Sequence, residues 1–389
     1  MDLKRTCLSA ACIVAFCFTM PLGMEFYGAH RLKINRLTAA AAIVAAGDYS
    51  YRPEKQKKTL SKTLPRTVPQ LLNERLSISS KTVRDIKITE ETVEPEVKSH
   101  RVMTEQPSQK TLDLIKYPAK IENHDGVIQS ITYPTYKGTQ YINLKNGGQV
   151  RNCTDLENSV LEAQSAKKLP FAVDTDSNQP QVLIYHTHTT ESYEPYARDF
   201  YDSSFSSKTT DMTKNVVSVG DKICEELDKA GISYVHDTLV HDYPDYNGAY
   251  DSSRKTVQEI LKQYPSIKIC LDIHRDGIQR ADGTRIAPVT EIGGKQAAQI
   301  MIISGCDDGT MGMPNYLQNF IFASKFQSQI ESDWNTLTRP VLFDYRHYNQ
   351  DLTTGSLLIE MGGHGNSIEQ AQYSGELVGK SLVKLIKAQ

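Results

Sequence analysis

Three short stretches of this chain carry side chains able to do chemistry together: Tyr185-His186-Thr187-His188-Thr189-Thr190-Glu191-Ser192, Leu271-Asp272-Ile273-His274-Arg275-Asp276 and Leu358-Ile359-Glu360-Met361-Gly362-Gly363-His364. Each follows an apolar run without a gap. A catalytic zinc takes about three nitrogen or oxygen ligands and keeps one position open, and imidazoles with a carboxylate suit it. His188, Glu191 and His274 make such a set. His186 competes with His188 for the first ligand position, because alternate side chains of an extended segment point the same way. Lying nearer the strand, His186 is the more readily packed. Glu360 closes an apolar strand, where a carboxylate needs a task or a partner. Beside a zinc-activated water it would take the proton and return it to the leaving nitrogen of an amide. Arg275 is the second candidate catalytic residue, binding a substrate carboxylate or holding Asp272 or Asp276. Asp272 and Asp276 also suit fixing His274, since metal-bound imidazoles usually give their other N–H to a carboxylate or carbonyl.

The elements that must position these groups read as an α/β fold. Compact apolar runs, at 181–186, 232–236, 267–273, 299–304, 341–345 and 356–360, are separated by longer amphipathic stretches. Val216, Val219, Ile223 and Leu227 keep helical spacing, and Gly231 follows as a C-cap. Ile368, Ala371, Gly375, Val378, Leu382 and Ile386 form one face of a last helix, with Asn366-x-x-Glu369 and Ser367-x-x-Gln370 as capping patterns. Strands apolar on both faces imply a mostly parallel central sheet flanked by helices. In such sheets ligands bind beyond the carboxyl ends of the strands, which is where all three stretches fall.

Residues 171–389 form this catalytic region, and residues 117–170, with short β-type runs punctuated by glycine, read as a small β subdomain. Residues 48–116 are rich in Lys, Glu, Thr, Ser and Pro and read as a low-complexity stalk. Residues 1–47 read as a membrane anchor region: Lys4 and Arg5 precede an uncharged apolar stretch at 7–24, a length at the lower end for a transmembrane helix. A second apolar run after Arg36 leaves a cleaved signal sequence as the alternative. With an uncleaved anchor, the rest of the chain lies outside the cytoplasmic membrane. Cys224 and Cys270 fall in apolar settings and read as buried free thiols, and no C-x-x-C pair offers a thiolate zinc site.

Rival chemistries lack their sequence signals. There is no G-x-S-x-G elbow, no P-loop, no G-x-G-x-x-G after a strand and no H-E-x-x-H helix, so the site must be assembled from separate strand ends. A formal net charge of -2 supplies no overall field for drawing the chain onto nucleic acid.

At the same residues the sequence resembles the stage II sporulation protein P family of endospore-forming bacteria. The resemblance rests on the stretch from Ile184 to Tyr193, on Asp272-Ile273-His274-Arg275-Asp276, and on Tyr348-Asn349-Gln350-Asp351-Leu352 through Leu358-Ile359-Glu360-Met361-Gly362-Gly363. Val219-Gly220-Asp221 and Tyr246-Asn247 to Tyr250 add to it. It implies a fold similar to the zinc N-acetylmuramoyl-L-alanine amidases, whose metal is held by His, Glu and His with a late catalytic Glu. It further implies amidase and endopeptidase activity on peptidoglycan during forespore engulfment, with the stage II sporulation proteins D and M as partners. The middle Glu of those amidases comes later than Glu191, near the start of the next helix, where this chain has Asp211 and Asn215. Two other readings compete: a zinc carboxypeptidase or deacylase on another extracytoplasmic amide, and a wall-binding scaffold without catalysis.

Overall fold

A computed structural model describes residues 115–118 and 120–389, together with two short strands at 89–90 and 101–103. The expected anchor at 7–24 and nearly all of the stalk lie outside the described residues. Among the described residues, no helix is long and apolar enough to cross a membrane.

The centre of a ten-stranded sheet is a block of parallel neighbours: β8 (Tyr234–His236), β6 (Val182–Tyr185), β9 (Ile269–Asp276) and β14 (Ser356–Gly363). β6 and β9 have no more than an intermediate side chain outside a run of buried ones, as strands covered on both faces should. Alternation splits their side chains between two layers. Val182, Ile184, Leu271, Ile273, Leu357 and Ile359 join the core under α2 (Val216–Ala230), α4 (Tyr316–Asp333) and α5 (Ile368–Lys387). Leu183, Tyr185 and Cys270 face α3 (Ala249–Gln263) through Val257 and Ile260. The even-numbered residues of β9, Asp272 and His274, follow Cys270 onto this second face.

The sheet is mostly parallel, as expected, with six of the nine neighbour pairs among its described strands parallel, but beyond β14 its direction reverses. β12 (Met301–Gly305) runs antiparallel to β14, while β13 (Val341–Asp344) and β5 (Gln149–Asn152) run parallel to β12. The reason is connectivity. Parallel neighbours need a crossover such as α4, which joins β12 to β13, whereas β13 reaches β14 through a loop and so returns in the opposite sense. Residues 117–170 supply strands to both sheets: β4 (Tyr141–Asn143) and β5 close one edge of the large sheet. β3 (Gly126–Ile131) pairs with β10 (Arg285–Ile292) and β7 (Phe200–Tyr201) in a second sheet that β11 (Lys295–Ala298) completes. A short helix, α1 (Asn158–Ser165), follows β5. From the segment read as stalk, β2 (Arg101–Met103) adds to β8 and carries β1 (Thr89–Glu90) on its outer side. An open sheet edge offers unpaired backbone groups, which is what an extended segment can satisfy.

Both predicted helix signals are present. Gly231 caps α2 at φ 70°, a left-handed conformation that costs glycine little, and Asn215 caps its start by accepting from the Val217 N–H. α5 begins with a full capping box, Ser367 and Gln370 bonding reciprocally. Cys224 and Cys270 are buried free thiols, and burial pushes Cys270 up to about 12.

Candidate active site

Because β6, β9 and β14 are parallel, their carboxyl ends share one edge of the sheet, and the three sequence stretches meet there. Glu360 lies beside His274 across the β9/β14 ladder, and the register shifts just after this pair. The chain leaving β6 is tied to β9 by Asp272, whose carboxylate accepts from the Thr187 N–H at 2.8 Å and the Thr187 hydroxyl at 2.6 Å. The next turn is tied by Asp242, which accepts from the Thr190 N–H at 3.0 Å and hydroxyl at 2.6 Å. These two buried carboxylates set where His188 and Glu191 emerge.

Glu191 Oε2 is 3.5 Å from His274 Nδ1 and accepts from the Arg275 N–H at 3.1 Å. On the far side of the imidazole, His274 Nε2 lies 2.9 Å from Asp272 Oδ1. The His188 ring stands perpendicular to that of His274 with centroids 5.2 Å apart. Its Nδ1 is buried without a hydrogen-bond partner, 4.0 Å from Asp242 Oδ2. Glu360 Oε2 is likewise buried and unpartnered.

The two neighbouring imidazoles have their pKa values pushed in opposite directions. Burial, with His274, Lys208 and Arg275 nearby, draws His188 down to about 2. Burial also works against charge on His274, but the carboxylates of Asp272, Glu191 and Glu360 outweigh it and lift its pKa to about 9. Burial and the neighbouring Asp276 raise Glu360 to about 8, against the opposing pull of His274. Such a group of carboxylates around one imidazole favours a cation.

Two ligands at about 2.1 Å from a tetrahedral zinc lie about 3.4 Å apart. Glu191 and His274 stand at that spacing, with His188 next to them and Asp272 in the place of the usual carboxylate behind a ligand imidazole. Among the described residues, no three His, Cys, Asp or Glu side chains form a closed metal cluster. The candidate set is a pair with a neighbour, and its donor chemistry fits zinc.

His186 is placed elsewhere. Its Nδ1 meets the Ile273 carbonyl at 3.1 Å and its Nε2 meets His236 Nε2 at 2.9 Å, so both nitrogens are committed inside the sheet. Asp211 and Asn215 also have other work: Asp211 accepts from the Thr213 N–H and hydroxyl, and Asn215 caps α2. Arg275 does not hold Asp272 or Asp276, the second of the roles expected of it. Its guanidinium donates to the Ser192 and Ser207 carbonyls at 3.0 Å each, Asp276 pairs instead with Arg339, and Asp272 is taken by Thr187 and His274. Arg275 braces the loop carrying Glu191, because two main-chain carbonyls stand where its fork points. The Tyr348-to-Leu352 motif is a lock as well. Asn349 donates to the Tyr250 carbonyl and the Ser253 hydroxyl, and Asp351 holds Arg254 at 2.5 and 2.7 Å.

Sequence reasoning missed three neighbours of His188. Asp242 is one; Tyr246, stacked on the imidazole at 4.4 Å, is the second. The third is Lys208, whose ammonium lies 3.8 Å above the Tyr246 ring. Only Tyr246 carried a signal, its place in the Tyr246-Asn247 part of the family pattern.

The family described as Stage II sporulation protein P matches residues 55–382. A curated relative, Stage II sporulation protein P of Bacillus subtilis (strain 168), is 29% identical over 232 residues, which cover 57% of this chain and 54% of the relative. The chain thus spans about half the length of that relative. Among solved structures, the CwlD amidase from Clostridioides difficile in complex with the GerS lipoprotein aligns at TM-score 0.35 and 12% identity, over 54% of this chain and 100% of its own. The N-acetylmuramoyl-L-alanine amidase AmiC2 of Nostoc punctiforme aligns at TM-score 0.31 and 12% identity, over 56% of this chain and 98% of its own. Similarities this low carry no argument about the site.

Proposed function

Because this chain belongs to the stage II sporulation protein P family, which matches residues 55–382, we propose that it is a zinc-dependent peptidoglycan hydrolase acting in sporulation. The observation that carries the reading is the meeting of Glu191 and His274 at 3.5 Å, beside His188, with a buried and unpartnered Glu360 oxygen across the ladder. The bond cleaved is the amide between N-acetylmuramic acid and L-alanine, and cross-links between stem peptides are a second target. His188, Glu191 and His274 hold the metal. When bound, zinc supplies Lewis-acid polarisation of the amide carbonyl, eases deprotonation of water and draws the pKa of Glu360 down so that it is ionised near neutral pH.

Glu360 then acts at Oε2, taking a proton from the attacking water and handing it to the departing nitrogen. Asp272 keeps the His274 ring oriented with Nδ1 towards Glu191. Arg275 fixes the Glu191 loop rather than touching the reacting atoms. In the cell, the reading places the chain on an N-terminal membrane anchor with its hydrolase region outside the cytoplasmic membrane, around the forespore. There it works with the stage II sporulation proteins D and M. Family membership and the resemblance at the site residues support this placement.

Digestion of purified sacculi followed by mass spectrometry tests the reaction. The wild type should free intact stem peptides from the glycan, and Glu360→Gln should lower the rate by about 10²–10⁴-fold with zinc still bound. Identical products at identical rates from both proteins would overturn the assignment.

A further inference from the structure

The mechanism above leaves one cation near the site without a task. Lys208 is paired through its backbone with Glu191 in an isolated antiparallel bridge, so it stands one bridge away from a candidate metal ligand. Its side chain is half-buried, and its ammonium lies 3.8 Å above the ring of Tyr246. The same ring stacks on His188 at 4.4 Å, and Tyr246 is 40% exposed. The phenol thus touches both the imidazole of a candidate ligand and the ammonium.

Elsewhere in the described residues, Lys222, Lys229, Lys380 and Lys384 each hold a carboxylate. No described carboxylate reaches ion-pair distance of Lys208. The position is nevertheless built. Ser207, just before it, has φ 53°, a left-handed conformation disfavoured for a residue with a Cβ. The Ser207 carbonyl is held in place by the Arg275 guanidinium at 3.0 Å. Asp242 and Glu191 attract this ammonium from beyond ion-pair distance and its direct contact is the Tyr246 ring, so it keeps the capacity to pair with an anion from outside the chain.

We propose that Lys208, seated on Tyr246, is a specificity-determining residue that recognises a carboxylate of the substrate's peptide beside the scissile amide. This rests on the hydrolase reading and adds the charge of the preferred substrate to it. An ammonium recognises a carboxylate as a point charge without a bidentate fork, so arginine at this position should preserve recognition and a neutral residue should abolish it. The single bridge separating Lys208 from Glu191 keeps this ammonium close to a proposed metal ligand, and so to the bond being cut.

The test uses the full chain in neutral detergent micelles, loaded with zinc, and two muramoyl–L-alanine peptides in which a methylene replaces the scissile nitrogen. The peptides differ only in a free carboxylate or a carboxamide on the residue after alanine. Calorimetric titration should show the carboxylate form binding about 10-fold tighter to the wild type, a difference of about 1.4 kcal/mol. Lys208→Met should bring both peptides to the same affinity, and Lys208→Arg should restore most of the preference. Equal affinities in the wild type, no measurable binding of the carboxylate form, or a preference that survives Lys208→Met would each overturn the proposal. Failure to cleave natural sacculi alongside an intact preference would instead overturn the hydrolase reading alone.

Discussion

At the scale of single residues, the site and the core behind it hold groups whose buried environments push their pKa values apart. His186, His188 and His364 are kept neutral, burial drawing them to about 3, about 2 and about 3 from an ordinary 6.5. A histidine depressed in the folded state contributes stability that is complete above pH 6.5 and is lost as pH falls towards the folded value. Glu360, raised to about 8 from 4.5, works the other way, its contribution being complete below pH 4.5 and lost as pH rises through 8. His274, raised to about 9, loses its contribution between pH 6.5 and 9. His347 is depressed as well, and Glu191 and Glu194 are raised along with Glu360, so four histidines, each with an ordinary value of 6.5, oppose three carboxylates and set the sign between pH 7 and pH 5. With a chelator present, the unfolding temperature is therefore expected to drop by about 5–10 °C between pH 7 and pH 5. Scanning fluorimetry across that range checks it, and a flat or rising profile towards pH 5 would count against these buried charge states.

At the scale of elements, the close approach of α2 to the sheet explains why a glycine interrupts its buried face. A Cβ on Gly220 would stand 2.8 Å from His186 Cε1, 2.9 Å from His186 Nε2 and 2.9 Å from His236 Nε2. The His186–His236 pair, itself bonded to the Ile273 carbonyl one residue before His274, leaves no room to yield. Gly220→Ala is expected to cost about 1–3 kcal/mol by overpacking. Chemical denaturation of the two proteins measures this, and equal midpoints would show that the pair can shift. Much of this level was legible beforehand: α2 from its spacing and Gly231, α5 from its Ser367 and Gln370 cap, and the strand-end placement of His188, His274 and Glu360. These are local signals, read within one or two turns of chain. The reversal at β12 was not legible, because it depends on which connection carries a crossover. Neither were Lys208 and Asp242 beside His188, nor the main-chain partners of Arg275, since those contacts join positions tens of residues apart.

At the scale of the whole molecule, the candidate ligands come from two separate stretches, 188–191 and 274, and the proposed base from a third near the end of the chain. Only the parallel block of β6, β9 and β14 brings them together, so metal binding should belong to the folded region and to no single peptide of it. The reversed block and the second sheet complete the platform behind them, and β10 contributes Arg285 to the ion pair with Glu194 that flanks the same loop at 3.4 Å. The proposed zinc would be held by His188, Glu191 and His274. Anomalous diffraction at the zinc edge from crystals grown with zinc tests that ligand set most directly. One strong peak is expected within about 2.0–2.2 Å of a nitrogen of His188, an oxygen of Glu191 and Nδ1 of His274. A strong peak elsewhere, or no peak between these three side chains, would contradict it.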